Sequence, residues 1–477
     1  MEILDLASKG IVTFTKGFGR KIQRTVRAAQ IPQASPIALA GETWRLGFAG
    51  AEIMPDLNAG KTYYIAGHGS GHVMEGVLTP VSMFAAWIDC GGDEGILWLS
   101  ADIIGLTRVE VNAIRKKILA SDKIKGCRCI NFSCTHSHSG IDTVGYWGKP
   151  NAVGIPSDGK DADYMALLFS TAVEVAEAAY AARRPGKLYS GRVEVPGGLF
   201  TKRDFPDKHE ILTRVRFVPE DGGRETWILN FGAHPNSLGG DNRMLSGEYP
   251  YFLREKLADV NVLFTIGAIG AMDAAELDPD DKVNNIKLQG EMVADAALRI
   301  DNDRLLAPQI RLVQQPFYLP VGNYVLTFLA MRNVMSIDPY PTDKTDIGVA
   351  LMSEMTYFTL GDQAFLLLPG ENFVNTVYGS YVDQARSTTG KGPEINPAPL
   401  AEIAGDPEMI AVGVTNDMTG YVVPPNDFLL NPTQPYLNGV KDRNGLNHYH
   451  ETNSLGIGAQ QAIADNFTRM LAAYRAQ

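Results

Sequence analysis

Four cysteines in 477 residues are too few and too crowded to frame a disulfide scaffold, and Cys90, Cys127, Cys129 and Cys134 nowhere take the CxxC spacing of a zinc knuckle. They read as reduced core residues. Long apolar runs are also missing: no stretch of eighteen or more exists, so no membrane span is expected. The opening MEILDLASKGIVTFTKGFGRKIQRTVRAAQ lacks the charged, apolar, small-residue order of a secretory signal, and cytoplasmic residence is the expectation. Positive charge is in deficit as well. With 43 Lys+Arg against 54 Asp+Glu the net charge is −11, which argues against a nucleic-acid partner, whose phosphates demand basic surface. Small molecules or lipids fit such a surface better.

The chain has ample core material, 45% hydrophobic with only 20% charged. Its first thirty residues stand apart, with Lys9, Lys16, Arg20, Lys21, Arg24 and Arg27 against Glu2 and Asp5, net +4 in a chain of −11. Residues 1–35 therefore read as a basic N-terminal arm, either a solvated helix packed on its own or a neighbouring subunit, or a peripheral membrane contact. Residues 36–477 read as one α/β domain, and a homo-oligomer is compatible with either use of the arm. Short β-rich runs (MFAAWID, GILWLSADII, CRCINFSCT) alternate with helical patterns (RVEVNAIRKKILASD and the alanine-rich 161–183). Strands follow at LTRVRFV, TWILNFGAHP and NVLFTIGAIGA, and a further pair, MTYFTLG and QAFLLLPGE, meets at a turn over Gly361 and Asp362. AQQAIADNFTRMLAAYR closes the chain as a helix. The proline-bearing segments 315–350 and 385–440 read as loop-rich, where a substrate cover could be built.

Three apolar strands end in groups that carry chemistry. NFSCTHSHSG places His136 and His138 two residues apart, on one side of an extended backbone, which favours a metal or catalytic site over two satisfied core histidines. WILNFGAHPNS brings His234 to a strand end, where ligands converge in α/β folds. FLLLPGENF ends in Glu371, either a carboxylate in a cleft, paired or metal-bound, or a helix N-terminal acid stabilised by the dipole.

In order and approximate separation, THSHSG, FGAHPNS, LPGENF and TNDMTGYVVP resemble the N-terminal catalytic domain of the neutral (non-lysosomal) ceramidase family. LGFAGAEIMPD also resembles that family's first strand and turn. The resemblance runs over residues 43–477 and does not extend to the immunoglobulin-like domain of full-length members. It implies a large mixed-sheet α/β catalytic domain and a single Zn2+ ion held by His136, His234, Glu371 and Tyr421. Two imidazoles, a carboxylate and an adjustable tyrosine oxygen are a reasonable zinc set. His138 would then stand beside the metal and stabilise charge on the substrate carbonyl. LFTKRDFPD resembles the family's asparagine-any-arginine segment, which implies substrate or oxyanion contact for Arg203, with Thr201 at the asparagine; an exposed surface arginine is the other reading.

The family's serine, in a Gly-Asp-Val-Ser-Pro segment, is replaced: NVLFTIG leads here into Gly270-Ala271-Met272-Asp273, with Asp273 at the serine position. A direct attack by water needs no such nucleophile, and Asp273 becomes the candidate general base, or else caps the following turn. The family's histidine-bearing substrate segment also differs, reading EGVLTPVSMF here. Around the expected site stand His68, His72, His448, His450 and Glu451, as ligands of a second metal, as hydrogen-bonded supports, or as surface residues, beside the aromatic pair Tyr146 and Trp147, which either faces the site or simply packs. The expected function is zinc-dependent hydrolysis of an amide C–N bond in a small-molecule or lipid-like substrate other than, or including, ceramide. An esterase or lactonase, and a non-catalytic lipid- or metabolite-binding protein, are the alternatives.

Overall fold

Strands whose every residue is buried must be covered on both faces, and Gly95–Ala101, Thr226–Phe231 and Gln363–Leu367 are of that kind. A computed structural model of the chain describes residues 2–203, 208–379, 390 and 396–476. It supplies the cover by stacking two mixed sheets face to face and laying helices on their outer sides. The nine-stranded sheet runs in the order Asn261–Ile266, Thr226–Phe231, Ile211–Pro219, Arg184–Glu194, Trp44–Glu52, Ser82–Asp89, Gly95–Ala101, Cys127–Cys134, with Arg304–Leu306 beside Arg184–Glu194. The six-stranded sheet runs Ile37–Ala40, Gln309–Val321, Val349–Leu360, Gln363–Leu367, Ile410–Val412, with Pro339–Pro341 beside Val349–Leu360.

Trp44, Leu46, Ile88, Ile96, Trp98, Val215 and Phe217 from the first sheet meet Leu312, Phe358, Phe365, Leu367 and Val412 from the second. Trp98 stands edge-on to Phe358 and Phe365, at centroid distances of 5.6 and 5.7 Å. Alternate residues of the same strands, Leu97, Leu99, Ile130 and Phe132, face the helices. Of these, α1 (Glu2–Thr25) lies against α6 (Tyr324–Met331), and α2 (Arg108–Leu119) against α3 (Ala162–Ala181), which covers Trp44–Glu52 and Ser82–Asp89. The helices α4 (Glu248–Lys256) and α5 (Lys282–Leu298) pack on each other, and Ala459–Arg475 covers Gln309–Val321. Asp161 starts α3 as its N-cap, accepting from the backbone N–H groups of Asp163 and Tyr164. Cys90, Cys129 and Cys134 are buried and all four cysteines are free, in keeping with the reading of reduced core residues.

Most of the expected elements form, including the turn at Gly361 between Val349–Leu360 and Gln363–Leu367. Segment 315–350 is a correction, since it contributes most of the strand Gln309–Val321, the helix α6 and the start of Val349–Leu360. Its Pro316 and Pro320 lie where Gln309–Val321 is an edge, because Ile37–Ala40 pairs only with residues Gln309 to Leu312. A missing N–H costs nothing there. Of segment 385–440, residues 385–389 and 391–395 lie outside the described residues.

Candidate metal centre

Three parallel strand pairs interrupt the antiparallel order: Gly95–Ala101 with Cys127–Cys134, Thr226–Phe231 with Asn261–Ile266, and Gln363–Leu367 with Ile410–Val412. The chain leaving each C-terminal end runs to one place, bringing His136 and His138, then His234 and Asp273, then Glu371 and Tyr421. Isolated bridges and a two-residue parallel pair lock these exits together. His234 is bridged to Asp273, and Glu371 pairs in register with Tyr421.

The two histidines of the first exit meet differently from an i, i+2 pair on a strand. The strand ends at Cys134 and His136 takes a left-handed φ of 63°, so the two imidazoles converge across a turn, with centroids 4.9 Å apart. Gly67, at φ 103°, makes room for them: a Cβ there would stand 2.4 Å from the His138 ring. Gly370 plays the same part at Glu371, since its φ is 63° and a Cβ would meet the Gly420 carbonyl oxygen at 2.4 Å.

Hydrogen bonding fixes which ring nitrogens face inward. His136 Nδ1 lies 2.6 Å from the Ile104 carbonyl oxygen and His234 Nδ1 lies 3.0 Å from that of Ile269, and a carbonyl can only accept. Both Nδ1 atoms therefore donate, leaving Nε2 of each neutral ring with a lone pair aimed at the centre. The Nε2 atoms sit 3.3 and 3.1 Å from a single Glu371 Oε2. Three acceptors facing one another repel unless a proton or a cation stands among them. His234 Nε2 and Glu371 Oε2 have no partner in hydrogen-bond geometry although buried. Four donors about 2.05 Å from a common zinc ion stand about 3.3 Å apart in a tetrahedron, which is the spacing seen here. The residues fit a metal. Donor atoms of His136, His138 and His234 also lie within 4.8 Å of one another, so His138 offers a further ligand.

Burial would raise the Glu371 carboxyl, but a proton on His136 or His234 facing it adds charge and hydrogen bonds that outweigh burial and hold the group well below the usual carboxylate range. Burial and the flanking imidazoles push His138 far down, so it is neutral, with both ring nitrogens free of partners. The Tyr421 phenol is raised by burial and by Glu371.

Of the other expected residues, Asp273 lies beside the site and accepts from Asn236 Nδ2 at 2.9 Å, with Lys202 Nζ 2.6 Å from its other oxygen. Arg203 is neither exposed nor part of the cavity wall. It is 2% exposed, and its guanidinium is 3.1 Å from both Glu451 oxygens and over the Phe373 ring, behind the site. His448 is held between Glu451 and Asp442 at 2.7 and 3.3 Å, which gives it a supporting place. His450 packs edge-on to Tyr421 at 4.7 Å and His68 to His138 at 5.0 Å. Lys202 was invisible as a site residue in sequence, since a lone lysine reads as solvated until the fold sets Asp273 against it.

A cavity of about 730 Å³ opens on the cluster, lined by His68, His136, His138, Lys202, Glu371 and Tyr421 at one part. Elsewhere its wall is largely apolar, with Ile104, Trp147, Leu326, Met335, Leu351 and Met418 among the lining. Tyr146 and Trp147 belong to this wall and also pack edge-on at 5.3 Å.

Comparison with solved structures places the fold. A neutral ceramidase from Pseudomonas aeruginosa superposes with a TM-score of 0.65 at 15% identity, over 91% of this chain and 75% of the other. The chain has the neutral ceramidase fold. A ceramidase complexed with C2 superposes equally, with a TM-score of 0.66 and 15% identity, over 91% of this chain and 76% of that one. No family model matches the sequence, and no curated protein does. The ceramidase-like fold accounts for the expected α/β class and its mixed sheets. Among the described residues, no helix is long and apolar enough to cross a membrane.

Proposed function

We propose that the chain is a zinc-dependent hydrolase that cleaves the C–N bond of an amide in a lipid-like substrate, which need not be ceramide. The observation that carries this reading is the set of two carbonyl-oriented imidazoles sharing one carboxylate oxygen at 3.1 and 3.3 Å on the wall of a largely apolar cavity. His136, His234 and Glu371 would hold the ion, with Tyr421 as the adjustable fourth donor. When bound, zinc supplies Lewis acidity toward a carbonyl and lowers the pKa of a coordinated water toward neutrality.

The remaining work falls to the chain. Asp273 takes a proton from the attacking water and returns it to the amine nitrogen as the C–N bond breaks, and Lys202 beside it holds that carboxylate in place. Neutral His138, with no competing partner, is free to stabilise charge growing on the carbonyl oxygen. Apolar residues such as Leu326, Leu351 and Met352 exclude water around the acyl part. Arg203 supports this arrangement through Glu451, which lies one residue from His450 and so from the ring packed on Tyr421.

A panel of N-acyl amides and the matching esters, assayed with and without a chelator, tests the reading. Chelator-sensitive release of a carboxylate and an amine is expected. Turnover of esters alone would move the assignment to an esterase, and no turnover by zinc-loaded protein would favour a binding protein.

A further inference from the structure

The face that α1 turns to solvent is basic in a chain of net charge −11. Its apolar side, Ile11, Val12, Phe18, Ile22 and Val26, is spent on Tyr324, Ile347 and Val349, and Ser8 Oγ meets the Tyr324 hydroxyl at 2.8 Å. Opposite stand Lys9, Lys16, Arg20 and Arg24, at spacings of seven, four and four residues, which put them on one stripe of the helix, with Arg27 two residues past its end. Lys9, Arg20, Arg24 and Arg27 are exposed, and Lys16 has only a 3.6 Å contact with Asp346, whose own side chain is 93% exposed. The only acids in the helix sequence, Glu2 and Asp5, come before this stripe.

Like charges four residues apart repel and weaken a helix, a cost that the exposed Lys16–Asp346 contact and the favourable place of Arg24 in the last turn offset only in part. The stripe also runs against a chain of net charge −11. On its flank lie Lys21 and Phe14, the latter 67% exposed, beside Met331 of α6. The helices and strands under α1 are those of the cavity: Leu326, Thr327 and Ala330 of α6, and Val349, Leu351 and Met352, all line it.

We infer that α1 is a docking element for an anionic lipid surface, which it meets with the cationic stripe while Phe14 enters the interface. The helix spans about 36 Å along its axis, so its charges present an extended line to the headgroups. A lipid surface fits better than a nucleic acid because an aromatic side chain flanks the charges and because the element covers an apolar cavity. Docking holds the α6 side of that cavity against the lipid layer.

Flotation of the 477-residue, tag-free chain with vesicles of phosphatidylcholine alone, and of phosphatidylcholine with phosphatidylglycerol, decides the matter without reference to hydrolysis. Binding only to the anionic vesicles is expected, weakening at least about tenfold between low and high salt as the Debye length shrinks. The variant Lys9→Gln, Arg20→Gln, Arg24→Gln, Arg27→Gln is expected to lose binding about as strongly. Equal binding to both vesicles, no binding to either, or undiminished binding by a folded variant overturns the inference. Tighter binding to duplex DNA than to vesicles overturns it in favour of a nucleic acid. If the variant fails to fold, the lipid and salt series on the natural chain still decides. Loss of amide hydrolysis would not touch this result, nor would its failure touch the metal site.

Discussion

At His136 and His234 a backbone carbonyl takes one ring nitrogen and leaves the other for the centre, so the donor geometry is built before any ion arrives. Asp273 is bound differently, held by Lys202 and Asn236, which fixes its place. Asp273→Asn is expected to lower turnover by about a hundredfold or more while leaving the metal content unchanged; unaltered kcat would move the base elsewhere. Gly67→Ala is expected to cost at least about 1 kcal/mol in stability and to depress kcat by displacing the His138 ring, because the residue has φ of 103° and abuts that ring. A thermal melt and a rate assay on the same preparation check both parts. At this scale the sequence was informative where a polar group ended an apolar run, as at His136, His234 and Glu371. It was uninformative where a side chain's partner comes from a distant segment: Arg203 on Glu451 and Lys202 on Asp273 are ordinary surface cations until the chain is folded.

Among the secondary-structure elements, the three parallel strand pairs do the positioning. A parallel pair delivers two adjacent chains leaving in the same direction, so each pair brings two segments to the site at once. Sequence patterns located those strands, since buried β-rich runs are distinctive. The pairing is not written in the runs themselves, and neither is the left-handed turn at His136 that replaces simple strand alternation. Pro316 and Pro320 misdirected the reading of 315–350 because an edge position tolerates proline and periodicity cannot tell an edge from a centre. Gly370 governs how the Glu371 strand meets Tyr421. Gly370→Ala is expected to destabilise the protein by roughly 1–3 kcal/mol and to weaken metal retention. Equilibrium dialysis against zinc, beside a denaturant melt, measures the two effects.

For the whole molecule, the stacked sheets concentrate stability in the core between them. Trp98, 1% exposed and edge-on to two phenylalanines, is expected to cost about 3–5 kcal/mol when replaced by alanine, read from the shift in denaturant midpoint. Buried acids make the fold sensitive to alkali. Burial pushes Glu248 from 4.5 up to about 7 despite a 2.7 Å hydrogen bond donated by Ser139. Burial raises Asp417 and Asp427 to about 7 as well. For each, the folded chain binds a proton more tightly than the unfolded one, so stability falls as pH rises from the unfolded pKa to about 7. Glu371, shifted down, acts only at the acid end, where its contribution is lost as pH falls below 4.5. Melting temperatures are therefore expected to decline between about pH 4.5 and pH 7, and Glu248→Gln to reduce the accompanying loss of stability by up to about 3 kcal/mol. An equal slope in wild type and variant would assign the loss to other groups. The overall architecture was legible as α/β alternation together with the family resemblance, whereas the stacking of two separate sheets was not, because it depends on which faces of the strands meet.

Metal content, measured by elemental mass spectrometry on protein purified without added metal or a metal-binding tag, tests the central claim most directly. Close to one zinc per chain is expected, falling to background in folded His136→Ala and His234→Ala variants. Protein that carries no metal and takes up none from excess zinc, or variants that keep it, would contradict the site.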